Sequence, residues 1–244
     1  MLIASPRHSA ADLRHFREQE SLDRMMFRSG ALRRLEQEAI DVIGSFINTG
    51  PAYVSVSWGK DSVVVAHLLW RALAEYDLQS PLVVWCPAGA IENPDCALVR
   101  DEFLARFPLR YEEHPAELTS DDWDRSVGHD GAQAEFERVT RSLGRRHISG
   151  VRAEESGIRK LTMLRNGTAS ENTCRPIGWW RTEHVYAYLA GHDLPVHPAY
   201  ACSHDGNQPR RLIRVGTIGG SRGRGYRGVW GRAEWERRYY GVGR

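Results

Sequence analysis

Short β-rich runs that alternate with helix-patterned stretches constrain this chain more than any other feature. Tyr53-Val-Ser-Val-Ser57 is one such run, and Pro81-Leu-Val-Val-Trp-Cys86, nearly all apolar, is a second. A run without polar alternation suits a strand covered on both faces. Leu109–Glu113 and Arg146–Val151 read as third and fourth strands, and Cys174–Gly178 as a fifth. Between them, apolar periodicity marks helices from Asp61 to about Ala74, Asn93 to about Arg106, Gly131 to Leu143, and about Glu183 to Leu189. Asn93 serves as N-cap with Pro94 at the first helical position, and Thr182 caps the last helix, which Gly191 stops. This alternation predicts an α/β fold: a doubly wound, parallel five-stranded sheet with helices on both faces.

Residues 9–49 read as two helices broken at Arg28-Ser-Gly30. The second, Ala31–Ile47, sets Leu32, Leu35, Ala39, Val42, Ile43 and Phe46 on one stripe. The last 40 residues differ in character, with ten of the 23 glycines and ten arginines against three acidic residues. The remaining 204 residues hold 23 basic and 28 acidic side chains, so the charge is lopsided although the net is +2. The expected organisation is an N-terminal helical segment over 1–49, a nucleotide-binding α/β domain over 50–204 and a basic tail over 205–244.

At 244 residues and 41% hydrophobic content the chain is long enough for one large domain plus a tail, which excludes a disulfide-stapled mini-protein and a coiled coil. No apolar run approaches the roughly 18–20 residues of a membrane span. The first residues lack the basic and apolar regions of a secretory signal. Cysteines 86, 96, 174 and 202 form no CxxC pair, so reduced thiols and a cytoplasmic location are expected.

The chemistry concentrates in Ser57-Trp-Gly-Lys-Asp-Ser62, which joins the first strand to its helix at the place where open α/β sheets bind ligands. A helix N-terminus offers unpaired amides and a partial positive charge to an anion. Gly59 permits close approach, Lys60 adds a point charge, and Ser57 and Ser62 supply hydroxyls, all at a helix start expected to be exposed. Asp61 either caps the helix or orders a metal that bridges phosphates. The same residues also describe a generic helix start after a buried strand. They do not form a Walker A loop.

The loop resembles the PP-loop, S-G-G-x-D-S, of the adenine nucleotide α-hydrolase superfamily. Gly150-Val-Arg-Ala-Glu-Glu-Ser156 follows the fourth strand. Arg175–Leu189 (RPIGWWRTEHVYAYL) and Leu194-Pro-Val-His-Pro-Ala-Tyr200 come after it. Together these segments, spanning about residues 50–202, are similar to the phosphoadenosine phosphosulfate (PAPS) reductase family, which includes sulfate adenylyltransferase small subunits and DNA-phosphorothioation proteins. The resemblance implies that Ser57, Trp58, Gly59, Lys60, Asp61 and Ser62 hold the phosphates of ATP or the phosphosulfate of PAPS. Arg152 and Ser156, with Arg159 or Lys160 nearby, would close over the same anion, and Arg175 would face it from the next strand. Lys60, Asp61, Arg152 and Cys174 are the catalytic candidates, and Asp61 would hold magnesium.

Three features depart from the family. Trp58 replaces the first glycine, which removes free access to positive φ. The C-terminal E-C-G-L-H segment of thiol-dependent sulfonucleotide reductases is absent. The paired cysteines that carry an iron–sulfur cluster in some relatives are missing, so no cluster is expected. Cys174 and Cys202 are open to two readings: a thiolate favoured among arginines, or a small buried hydrophobe. Cys174, Cys202, His197 and His204 match no recognised zinc spacing. Cys86 and Cys96 flank the loop after the second strand, close enough in sequence to approach each other.

The tail interleaves Arg210, Arg211, Arg214, Arg222, Arg224, Arg227, Arg237 and Arg238 with Tyr226, Trp230, Trp235, Tyr239 and Tyr240. That composition serves either to track phosphates and stack bases, or to pack on the acidic domain or a dimer partner. Asp121-Asp-Trp-Asp124 is a solvated loop. The favoured function is cleavage of ATP between its α and β phosphates to adenylate a substrate in sulfur transfer. The alternatives are a PAPS or APS reductase, and a non-catalytic nucleotide-binding module that docks nucleic acid or a protein through its tail.

Overall fold

The computed structural model describes residues 1–89, 92–115 and 137–202, together with Arg210, Ile213 and Val215. Five strands form one sheet: β1 (Tyr53–Val56), β2 (Leu82–Trp85), β3 (Tyr111–Glu113), β4 (His147–Ser149) and β5 (Thr173–Cys174). Their order is β3-β2-β1-β4-β5, and every pair is parallel. Tyr53 stands opposite Leu82 on one side and His147 on the other. The order reverses at β1, so the ends of β1 and β4 open a crevice at the topological switch point.

Helices α1 (Ala10–Arg28) and α2 (Arg33–Asn48) precede the sheet; α3 (Lys60–Tyr76) and α4 (Asp95–Arg106) connect its first three strands. Residues 137–143 are helical (α5) and lead towards β4. Helices α6 (Gly157–Asn166) and α7 (Thr182–Gly191) flank β5. Ser9 caps α1 through a reciprocal pair of bonds with Asp12. Helix α4 starts one residue later than expected: Pro94 holds the cap position, while the Asn93 side chain accepts from the amide of Asp95 at 3.0 Å.

The core runs between α2, α3, α4, α7 and the sheet, with Val54, Val83, Val64, Leu68, Phe103 and Tyr188 inside it. Close helix contacts depend on missing β-carbons. A Cβ on Gly44 would lie 2.6 Å from the Tyr76 ring, which is how closely α2 packs on α3. One on Gly191 would overlap the Phe27 ring, where α1 crosses α7.

Two local expectations differ from the structure. Strand β5 holds only two residues, because Gly178 and Trp180 donate back to the Arg175 and Ile177 carbonyls and curl the chain out of the sheet. Helix α6 carried no inward stripe to announce it: Met163 is its one buried residue, and Ile158, Leu161 and Leu164 are exposed. The first half of the Gly131–Leu143 helix, the 121–124 loop, His204 and all of the tail except Arg210, Ile213 and Val215 lie outside the described residues. Among the described residues no helix is long and apolar enough to cross a membrane.

Candidate functional site

Strand β1 ends at Val56 and α3 begins at Lys60, so the turn is Ser57–Gly59. Ser62 folds back over it. Its hydroxyl donates to the Gly59 carbonyl (3.0 Å) and accepts from the Ser57 amide (3.2 Å). Trp58 sits at φ 55°, in the left-handed region, despite its side chain. The indole is 0% exposed, packs on Phe103 and Tyr111, and donates to the Tyr111 hydroxyl at 3.4 Å. Burial of the indole offsets the strain of this backbone. Positive φ is thus adopted at a residue that has no free access to it, and the Trp58 side chain lies in the core.

At Gly59 a Cβ would lie 3.2 Å from the hydroxyl of Tyr200. That hydroxyl accepts from the Lys60 amide at 3.2 Å, so one of the helix's first donors is already used. The next two amides, of Asp61 and Ser62, make no hydrogen bond among the described residues, and Ser57 beside them is exposed.

Lys60 and Asp61 do not form an exposed helix start. Lys60 is 4% exposed, and its Nζ lies 2.8 Å from Asp61 Oδ2 and over the Tyr200 ring. Asp61 Oδ1 accepts from Arg152 Nε at 2.7 Å. Burial opposes charge on Lys60, but Asp61 and Tyr200 outweigh it and raise its pKa. Burial likewise opposes charge on Asp61, and Lys60 and Arg152 overcome it, holding the carboxyl below its ordinary range. Gly150, just past β4, makes this approach possible: a Cβ there would lie 2.9 Å from the Asp61 carbonyl carbon.

Arg152 is 2% exposed, and its guanidinium is committed inside the protein. Besides Asp61 it donates to Glu154 (2.8 Å), the Trp180 carbonyl (3.1 Å) and Thr182 (3.5 Å). Glu154 in turn accepts from the amide and hydroxyl of Thr182, at 2.8 and 2.7 Å. A continuous network thus joins the first turn of α3 to that of α7. Through these bonds Arg152 braces the loop.

Ser156 is the exposed N-cap of α6 and accepts from the Arg159 amide, while the Arg159 side chain pairs with Glu155. Lys160 is exposed. Arg175 is half-buried past β5, and its side chain makes no hydrogen bond or ion pair among the described residues. The structure therefore brings Ser57, Gly59, Lys60, Asp61, Ser62 and Arg152 together, and it ties Arg159 elsewhere. Sequence reasoning passed over Tyr200, Glu154 and Thr182 as site residues, although all three lie in the quoted family segments.

None of the four cysteines forms a disulfide. Cys174 is fully buried, and burial pushes its thiol up to about 12 against the pull of Arg175 and Arg146. Its burial is that of a small apolar residue, the second of the two readings open to it. Burial and neighbouring Glu92 also push the Cys96 thiol up. Cys86 packs in a separate apolar cluster, with Tyr53 and Val84, and forms no disulfide with Cys96. His197 accepts from the Ala199 amide and contacts Asn93 at 3.1 Å, and burial lowers its pKa to about 3.

Magnesium does not fit the donors present. Both Asp61 oxygens face a cation, Glu154 is held by Arg152 and Thr182, and Glu155 by the Arg152 amide and Arg159. Among the described residues no three His, Cys, Asp or Glu side chains are grouped to hold a metal ion.

Comparison with known proteins identifies the family. A curated phosphoadenosine 5'-phosphosulfate reductase of Synechococcus sp. is 23% identical over 163 residues, covering 60% of this chain and 68% of that protein. The U34-tRNA thiolase NcsA from Methanococcus maripaludis, solved with its [4Fe-4S] cluster, shares the fold at a TM-score of 0.50. Its identity is 12%, covering 67% of this chain and 64% of that one. The PAPS reductase of Candida auris, solved as a phosphate complex, aligns at a TM-score of 0.48 and 12% identity over 68% of this chain and 87% of that one. The model of the phosphoadenosine phosphosulfate reductase domain matches residues 51–221, and the chain belongs to that family.

Proposed function

We propose that the protein binds the phosphate chain of ATP at Ser57–Ser62 and adenylates an acceptor for sulfur transfer. An acceptor oxygen attacks the α-phosphorus, the α–β bridging bond breaks, and pyrophosphate leaves with the electron pair. The observation that carries this reading is the pair of unbonded amides at Asp61 and Ser62, which sit beside the Ser57 and Ser62 hydroxyls at the N-terminus of α3. Such preorganised donors stabilise charge that develops on phosphoryl oxygens. Lys60, Asp61 and Arg152 act as positioning residues, because their charges are spent on one another. Arg175, with an uncommitted guanidinium, is the residue to engage the anion from β5.

The thiols favour adenylation over reduction. Attack on a sulfonucleotide needs a thiolate, yet Cys174 is buried with its pKa near 12. The Synechococcus relative, named for PAPS reduction, supports a second reading with PAPS as the nucleotide.

Thermal denaturation with ATP or PAPS, followed by product analysis, separates these readings. The expected result is protection by ATP and slow release of AMP and pyrophosphate, with water standing in for the acceptor. Protection by PAPS with sulfite release replaces this reading with the reductase. Protection without turnover leaves a binding module.

A further inference from the structure

We propose that Asp23 and Arg210 are positioning residues of the Ser57–Ser62 loop: their ion pair seats Ile213 in the core and Val215 beside Gly59, and makes Val215 a wall of the nucleotide site. The inference deepens the nucleotide reading above and rests on it only for its affinity readout.

Asp23 lies on α1 and is 5% exposed. Both its oxygens accept from the Arg210 guanidinium, at 2.5 Å each, across 187 residues of sequence. A bidentate pair of this kind fixes direction as well as distance. The other face of Arg210 lies over the Tyr186 ring, 4.2 Å from its centroid. Tyr186 meets Tyr200 edge-on at 6.0 Å, and Tyr200 holds the Lys60 amide. The Tyr186 hydroxyl is buried and makes no hydrogen bond among the described residues. Stacking on Arg210 and Tyr200 therefore sets the position of that ring.

Beyond Arg210 the chain turns inward. The Ile213 amide donates to the Arg210 carbonyl at 3.2 Å, and Ile213 is 1% exposed within the main core. Val215 packs on Ala199, Cys202 and the core, and its Cβ lies 4.0 Å from the place where a Cβ on Gly59 would stand. Tyr200 and Val215 thus cover the same side of Gly59. Gly59 and Lys60 are buried there, while Ser57 is exposed and marks the open edge. The family match likewise continues to residue 221, past all three of these residues.

Hydrogen exchange on the full chain tests the seat, with Asp23→Asn compared to wild type and no nucleotide present. Exchange is expected to quicken at least tenfold in both 210–215 and 57–62, with α4 unchanged. ATP affinity should fall at least tenfold. Loosening of 210–215 alone, with 57–62 and affinity unchanged, overturns the proposal. If Asp23→Asn does not fold, wild type decides by reciprocity, since a ligand that needs the wall must stabilise it. ATP should then slow exchange at 210–215 at least tenfold, and a protein that binds ATP without slowing it has no such wall. A wild type that binds neither ATP nor PAPS defeats the nucleotide reading, while the nucleotide-free comparison of 57–62 still decides the seat.

Discussion

Arg152 Nε lies 2.7 Å from Asp61 Oδ1, bridging the gap between the end of β4 and the first turn of α3. Lys60 also pairs with Asp61 and Glu154 with Arg152, so the four charges form one network. Removing one partner of a buried pair strands the other charge, at a cost of about 3–5 kcal/mol. Arg152→Ala should therefore lower stability by ~3 kcal/mol or more in urea unfolding, and Lys60→Ala and Asp61→Ala should destabilise as well. A loss under ~1 kcal/mol for Arg152→Ala would contradict this account of the network.

Gly150 is the second support of the same contact. The atoms its Cβ would meet, at 2.9 and 3.0 Å, are the backbone carbonyl carbon and oxygen of Asp61, which cannot rotate aside. Overpacking of this kind costs about 1–3 kcal/mol. Gly150→Ala should lower the unfolding free energy by that amount and weaken ATP binding together with it. An alanine variant with wild-type stability and affinity would show that β4 and α3 have room to part.

How much of this was legible in the sequence depended on range. The strands, the turn at Ser57–Gly59 and the helices α1 to α4 and α7 follow from local pattern, and the structure has them. The pairings that define the site do not. Lys60 meets Tyr200 across 140 residues, Arg152 meets Asp61 across 91, and Arg210 meets Asp23 across 187. A charged residue at a helix start reads as solvated until its partner is known, so Lys60 and Asp61 were expected to be exposed. Helix α6 escaped notice because one buried methionine makes no stripe.

Trp58 tests how strain and burial balance. Its left-handed backbone costs about 1–2 kcal/mol, which glycine would relieve. Removing a fully buried tryptophan costs about 3–5 kcal/mol. Trp58→Gly, though it restores the family residue, should therefore destabilise by ~1–4 kcal/mol. A glycine variant more stable than wild type in chemical denaturation would mean that the indole contributes less than its burial indicates.

Cys174 should be chemically silent in the folded protein. With its pKa near 12, the thiolate fraction at pH 8 is about one in 10⁴. Iodoacetamide should label it only after unfolding, and Cys174→Ala should keep nucleotide turnover within about twofold of wild type. Rapid labelling of the native protein, or loss of turnover in the alanine variant, would restore a catalytic thiol.

The last prediction concerns acid. Burial, with help from His192, lowers the His67 pKa to about 3, and burial does the same to His197. The unfolded chain protonates both near the ordinary 6.5, so between pH 3 and 6.5 it binds more protons than the native state. The stability these groups supply is complete above pH 6.5 and is lost progressively as pH falls towards 3. From pH 7.5 to 5 each should remove about 2 kcal/mol, at 1.36 kcal/mol per proton and pH unit. Asp61 adds nothing in that window, because its depressed pKa keeps it ionised throughout. His67 Nδ1 lies 2.8 Å from the Tyr188 hydroxyl, a position that the amide of asparagine can imitate. His67→Asn should therefore start less stable at pH 7.5 and lose less on acidification, flattening the slope near pH 5.5 by about one proton. Urea unfolding of both proteins at several pH values between 5 and 7.5 measures the two slopes, and equal slopes would show that His67 is not held neutral in the fold.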